Sequence, residues 1–328
     1  MPLYNFRGMG IPKTMLRFLL YAGLGALLSG QAGAQTQNAP CATPGEPNAF
    51  FGVQTIRLWP GAAPEAKGNG CQDIPTLTIF DPQPGHENGS AVVIFPGGAY
   101  QHLATNLEGR QIANWFNARG FRAFVLRYRL TSDGYVLPVP LLDARKAIQL
   151  VRARARDYQI DPQRIVLIGF SAGGHLAALA ATQPVEGNPE AEDPIERVSS
   201  KPDFLVLGYP WIGAISSDTS HLSYCKLFNL MSRCEELRKA YSPDLFVTAK
   251  TPPTFWYHTA DDNTVPVEQG LRFFEALIKA GVPAEGHIFE HGPHGSGLGR
   301  GDLEMDQWPE LLETWLREQG LLKAGGRD

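Results

Sequence analysis

Gly169-Phe170-Ser171-Ala172-Gly173 places a serine hydroxyl between two glycines in a G-x-S-x-G array. An apolar run over residues 164–168 precedes it, and a small-residue helical run over 175–182 follows. That strand–turn–helix context is the one in which such a serine stands exposed on a sharp, strained turn. The turn leaves no room for side chains two positions away, which is why glycine is needed on both flanks. The helix N-terminus beneath favours a developing negative charge. The chemistry predicted is nucleophilic attack on a carbonyl carbon, with Ser171 as the attacking group.

A serine nucleophile needs a base, an acid to orient the base, and donors for the oxyanion. His294, in His291-Gly292-Pro293-His294-Gly295, lies after the last expected strand and before the final helix. The chain order serine, acid, histidine demands a base there. His291 is the rival in the same loop, whereas His175 is expected behind Ser171 on the helix in a packing role. Asp261 and Asp262 directly follow an expected strand, and Asp262-Asn263-Thr264-Val265-Pro266 fits the D-x-x-V-P pattern of acid loops. Asp262 is therefore assigned to orient His294, and Asp261 to support the loop. Phe95-Pro96-Gly97-Gly98-Ala99-Tyr100 follows an upstream strand, so the N–H of Gly98 or Ala99 is one expected oxyanion donor and that of Ala172 the other. Each such donor is typically worth about 2.7–4 kcal/mol of barrier. Tyr100, Tyr209 and Trp211 sit just beyond strand ends and are candidates for lining the substrate pocket, although aromatics there serve equally as core. This chemistry needs no metal or organic cofactor. His287, His291 and His294 lack a matching acidic ligand, so a metal site is not expected.

These residues must be held by a scaffold. Expected strands cover residues 55–58, 76–80, 91–95, 121–128, 164–168, 204–207, 254–258 and 286–289, the first two as an antiparallel edge. Helices are expected around Ile112, Trp115 and Phe116 with a C-cap at Gly120, and over 142–158, 267–280 and 303–318. Regular β–α alternation predicts a mostly parallel sheet covered on both faces, an α/β fold. The alternation breaks over residues 212–250, which read as an insertion forming a lid or pocket wall.

The 328 residues suffice for one large domain, placed over 51–323. A formal net charge of −4 and no basic stripe argue against a nucleic-acid partner. The run Arg152-Ala-Arg-Ala-Arg156 is expected as the cationic end of a helix. Residues 1–34 combine Arg7, Lys13 and Arg17 with a short apolar run and a small-residue site, Ala32-Gly33-Ala34, before Gln35: an export signal. The apolar run is short for a membrane span, so no stable membrane partner is expected, and the chain is placed in the periplasm or outside the cell. Residues 35–50 read as a linker. Cys41, Cys71, Cys225 and Cys234 permit three pairings. The local pairs Cys41–Cys71 and Cys225–Cys234 are the economical guess, and an oxidising compartment would preserve them.

The motifs Phe95-Pro-Gly-Gly-Ala-Tyr100, Glu108-Gly109, Tyr128-Arg129-Leu130, Gly169-Phe-Ser-Ala-Gly-Gly-His175, Asp262 to Pro266 and Gly292-Pro-His294-Gly295 together resemble a known group. It is the bacterial carbohydrate-esterase type of α/β-hydrolase, which contains acetyl xylan esterases and bifunctional feruloyl/acetyl esterases. The resemblance implies the α/β-hydrolase fold and a short acyl ester of a plant-wall sugar or oligosaccharide as substrate. Ala99 departs from the group by standing where a third glycine is frequent. Glu108 reads equally as an acid in a helix first turn or as a substrate contact. The readings to be beaten are a small serine exopeptidase, a lipase with a more apolar lid, and a catalytically silent binding protein on the same fold.

Overall fold

The computed structural model describes residues 53–213 and 234–322. Eight strands form one sheet: β1 (Thr55–Arg57), β2 (Thr76–Phe80), β3 (Ala91–Phe95), β4 (Arg122–Arg127), β5 (Ile165–Phe170), β6 (Phe204–Gly208), β7 (Thr254–Thr259) and β8 (Ala284–Phe289). Their spatial order is β1-β2-β4-β3-β5-β6-β7-β8. The β1–β2 and β2–β4 pairs are antiparallel, and every later pair is parallel. This is the mostly parallel sheet with an antiparallel edge that the alternation predicted.

The central strands are continuous apolar runs because both of their faces are covered. β3 (AVVIF) and β5 (IVLIGF) are buried at every position. Alternate residues of each strand feed different layers, as the period of two requires. Val93, Leu167, Leu207 and Trp256 pack on one face against α2 (Val139–Ala153), α3 (Ser171–Thr182) and α5 (Glu268–Lys279). Ile94, Ile168, Val206 and Tyr257 pack on the other against α1 (Gln111–Asn117) and α6 (Trp308–Glu318). β8 closes the parallel edge, and its outward residues, such as Ile288, remain exposed. Gly120 ends the α1 region in the left-handed conformation, φ 83°, as a C-cap glycine does.

Several boundaries differ from those expected, each for a local reason. α3 begins at Ser171 itself, because the strand-to-helix turn is made within that one residue. α2 stops at Ala153, and Arg152 turns back to donate to the Pro162 and Ser199 carbonyls and to pair with Asp203 at 2.9 Å. The basic run is thus partly a clamp rather than only a cationic helix end. A short 3-10 turn, Met305–Gln307, precedes α6. Of the segment read as a lid, α4 (Cys234–Ala240) and a 3-10 turn at Pro243–Phe246 are described. Residues 214–233 of that insertion, the export signal, the linker, Cys41 and Cys225 lie outside the described residues. Cys71 is disulfide-bonded. No helix among the described residues is long and apolar enough to cross a membrane.

One buried ion pair anchors the sheet to α2. Arg129, just past β4, donates through Nε and Nη2 to the Asp143 carboxylate, whose Oδ2 also accepts the Arg129 N–H. Arg129 Nη1 reaches the Pro64 carbonyl at 2.5 Å, which joins the N-terminal segment to the same point. Both side chains are essentially inaccessible, so removing one leaves a buried charge unmatched, at a cost of about 3–5 kcal/mol. Asp143→Ala is expected to lower the unfolding free energy by about that amount, measured as a reduced urea midpoint with an unchanged slope. The double replacement Arg129→Met/Asp143→Leu should recover most of the loss.

Candidate active site

Each chemically important side chain stands at the carboxyl end of a parallel strand, where the loops converge. Ser171 adopts φ 51°, an outlier for a residue with a Cβ. The crowding around it accounts for the motif glycines. A Cβ on Gly169 would lie 2.2 Å from the Gly173 carbonyl oxygen, and one on Gly173 would lie 2.1 Å from that of Phe95. A Cβ on Gly97 would come 3.0 Å from the Ser171 Cβ, so the loop after β3 passes directly over the serine turn.

Three side chains then form a continuous relay. His294 Nε2 lies 2.8 Å from Ser171 Oγ, and His294 Nδ1 lies 2.7 Å from Asp262 Oδ2. With Nδ1–H donating to the carboxylate, the Nε2 lone pair faces the serine hydroxyl, which is the tautomer a general base requires. The Thr264 and Val265 N–H groups donate to Asp262 Oδ1, each at 2.8 Å, leaving Oδ2 to the histidine. Burial opposes ionisation of Asp262, but the hydrogen bonds from His258, His294 and the Val265 N–H outweigh it. They hold the carboxyl well below the usual carboxylate range. Asp261 is turned away: its carboxylate meets the exposed His291 at 3.1 Å and the Gly292 N–H at 3.1 Å. The structure therefore brings Asp262 and His294 to Ser171, and leaves Asp261 and His291 as an outer pair. His287 pairs with Glu285 on β8.

The expected oxyanion donors are open. Among the described residues neither the Gly98 nor the Ala99 N–H has a partner, and both residues reach solvent. Gly98 at φ 126° and Ala99 at φ 56° give the loop its turn. The Ala172 N–H belongs to the first turn of α3, where no intrahelical acceptor exists. Donors at a helix N-terminus beside a nucleophile suit a carbonyl oxygen that acquires charge.

The aromatic candidates divide. Trp211 is half-buried, donates its N–H to the Ser171 carbonyl and sets its ring 4.6 Å from that of His175. Tyr100 and Tyr209 do not line an open pocket. Tyr100 is fully buried with its hydroxyl 2.8 Å from His175 Nδ1. Tyr209 is 2% exposed, donates to Glu108 Oε1 at 2.8 Å and lays its ring edge-on to His294 at 5.0 Å. Their positive φ angles, 59° and 35°, turn the side chains inward, which strand position alone does not reveal.

His175 has the packing role expected of it. Its Nε2–H donates to the Tyr241 carbonyl at 2.7 Å, so Nδ1 is the acceptor for Tyr100. Burial pushes its pKa down to about 4, partly opposed by that carbonyl. Two residues escaped the sequence reading in their actual roles. Glu108 is buried in a π-helical stretch, Thr105–Arg110, and accepts from the Gly97 N–H at 2.7 Å. His258, at the end of β7, donates Nε2–H to the Val265 carbonyl at 2.8 Å and lies 3.3 Å from Asp262 Oδ2. Only its spacing of four before Asp262 hinted at this.

This geometry has the company of known proteins. The family model BD-FAE matches residues 77–277, from β2 into α5. The chain belongs to the BD-FAE family. It is similar to an acetylxylan esterase of Xylanibacter ruminicola, 32% identical over 240 residues, covering 71% of this chain and 46% of that protein. The chain therefore spans about half the length of that curated relative. Among solved structures it resembles an acetyl ester-xyloside bifunctional hydrolase from Caldicellulosiruptor lactoaceticus, with a TM-score of 0.76 and 39% identity over 82% of this chain and 97% of that one. It also resembles a thermophilic esterase from Thermogutta terrifontis, at TM-score 0.69 and 31% identity over 84% and 98% of the two chains. That esterase is also known phosphonylated by sarin. The fold of this BD-FAE member is thus the α/β-hydrolase fold.

The neutral, buried His175 makes stability depend on pH. The unfolded chain takes up a proton near 6.5 and the folded chain only near 4, so between those values the unfolded state binds more protons. Stability from this group is present above pH 6.5 and lost as pH falls towards 4. Urea unfolding at pH 7, 6 and 5 should show a decline of up to about 1.4 kcal/mol per pH unit that is absent from His175→Gln.

Proposed function

We propose that this chain is a serine carboxylic ester hydrolase that removes short acyl groups, foremost acetyl, from carbohydrate esters of the xylan type. The observation that carries the reading is the unbroken chain Asp262–His294–Ser171 beside the Gly98, Ala99 and Ala172 amides, which meet no acceptor among the described residues. In it Ser171 Oγ attacks the ester carbonyl as His294 Nε2 accepts its proton, and the amides receive the oxyanion. His294 returns the proton to the departing alcohol. Water, activated by the same imidazole, then releases the acid and regenerates Ser171. Asp262, held ionised, keeps Nδ1 protonated throughout and stabilises the imidazolium as it forms.

The acetyl and xylan assignment is supported by the names of the similar acetylxylan esterase and acetyl ester-xyloside hydrolase. A substrate of this class is a small-molecule or oligosaccharide ester, met without a protein partner. Export is part of the proposal: the basic and apolar residues before Gln35 support it, as does the disulfide at Cys71.

Hydrolysis of p-nitrophenyl acetate, butyrate and octanoate, followed by acetate release from acetylated xylan, tests this directly. Acetate should be turned over fastest. Ser171→Ala should lower kcat by at least about 10⁴-fold, and Asp262→Asn by about 10⁴-fold through the wrong histidine tautomer. Turnover that survives Ser171→Ala would refute the assignment.

A further inference from the structure

The machinery just described leaves the buried acid Glu108 without a part in it. Glu108 is 2% exposed, and its carboxylate stands between three loops rather than on a substrate-facing surface. Its Oε2 accepts the Gly97 N–H at 2.7 Å, inside the loop after β3. Its Oε1 accepts the Tyr209 hydroxyl at 2.8 Å, just past β6. The Tyr209 oxygen accepts in turn the Gly297 N–H at 3.2 Å, three residues beyond His294, and the Tyr209 ring lies edge-on to the imidazole. Trp308 then fixes Gly297 from behind, donating Nε1–H to its carbonyl at 3.1 Å.

The backbone of the loop after β3 shows what this accomplishes. Pro96 has no N–H, and its carbonyl accepts the Tyr128 hydroxyl. The Gly97 N–H is taken by Glu108, and its carbonyl by the Ala104 N–H. The Gly98 carbonyl accepts from Gln101 and His102, and the Tyr100 carbonyl from Thr131. Among the described residues the Gly98 and Ala99 N–H groups meet no acceptor. A carboxylate also outbids a neutral acceptor for a buried amide, since charge-assisted hydrogen bonds are about twice as strong. Burial first, and then the negative charge of Glu108, push the hydroxyl pKa values of Tyr128, Tyr209 and Tyr257 upwards, so all three remain neutral phenols around it.

We propose that Glu108 is a positioning residue that sets the oxyanion loop through Gly97 and the His294 loop through Tyr209, registering the oxyanion donors on the base. The inference rests on the serine-esterase reading above. Because Glu108 is 2% exposed and acts through the Gly97 N–H and the Tyr209 hydroxyl, its effect falls on the transition state, in which the oxyanion donors act, and not on ground-state binding. A misplacement of about 1 Å in such a site costs on the order of 10²-fold in rate.

The test compares Glu108→Ala, Glu108→Gln and Tyr209→Phe in the full chain, with p-nitrophenyl acetate as substrate and the folded fraction counted by thermal unfolding. Glu108→Ala is expected to lower kcat by about 10²–10³-fold with KM within about threefold. Glu108→Gln can still accept from Gly97 and still bond Tyr209, so it should retain kcat to within about tenfold. Tyr209→Phe should fall between them. Glutamine as damaging as alanine, or an alanine variant that raises KM while sparing kcat, would overturn the proposal. Should Glu108→Ala fail to fold, a wild-type kcat in Tyr209→Phe would overturn it. Failure of the underlying reading looks different: the wild type would show no turnover, or Ser171→Ala would retain it.

Discussion

The turn from β5 into α3 leaves less than one methyl diameter between three segments of backbone, and the site is built around that crowding. Gly169, Gly173 and Gly97 all stand where a Cβ would collide with main-chain atoms. Ser171 sits between them with a positive φ, a conformation that costs of order 1–3 kcal/mol. The strain persists because β5 cannot relax: it is paired on both sides, by β3 and β6, and is buried throughout. The compression therefore does two things together. It raises the hydroxyl onto the end of the sheet, and it brings the loop after β3 directly against the serine turn.

Around this turn the polar atoms are divided between holding and reacting. Thr264 and Val265 N–H groups occupy one oxygen of Asp262, so the other is left to His294. Glu108 occupies the Gly97 N–H, while the following two amides meet no acceptor among the described residues. His175 and Tyr100 satisfy one another, and the second nitrogen of His175 reaches the Tyr241 carbonyl, just after α4. Asp262, Glu108 and His175 are thus each committed to named partners around the serine turn. A reacting centre organised this way needs little rearrangement when charge develops.

The similarity to the acetyl ester-xyloside hydrolase covers nearly that whole chain, whereas the acetylxylan esterase is matched over less than half its length. The BD-FAE match contains Ser171, Asp262 and the loop after β3, and it ends before His294. The loop bearing His294 is instead secured by contacts made within this fold, through Tyr209, Glu108 and Trp308.

The order of strands and helices, the strand-to-helix turn at Ser171 and the loops bearing Asp262 and His294 were legible in the sequence because each is a local pattern. Buried parallel strands must be apolar runs, sharp turns must carry glycine, and the two loops must follow their strands. Residues 91–95 coincide with β3 for that reason, and residues 76–80 with the antiparallel β2. The choice of Asp262 over Asp261 rested on a five-residue loop pattern, and the hydrogen bonds from Thr264 and Val265 are its physical counterpart. What depends on the direction of a side chain was decided only by tertiary structure. Tyr100 and Tyr209 lie at strand ends as expected, yet positive φ angles turn both into the core. Glu108 reads as an ordinary helix-start acid until the fold brings Gly97 and Tyr209, 11 and 101 residues away, onto its two oxygens. Local spacing specifies which backbone shape a segment adopts. It does not specify which distant donors will meet a buried carboxylate, because that depends on how the loops of separate strands are packed against one another.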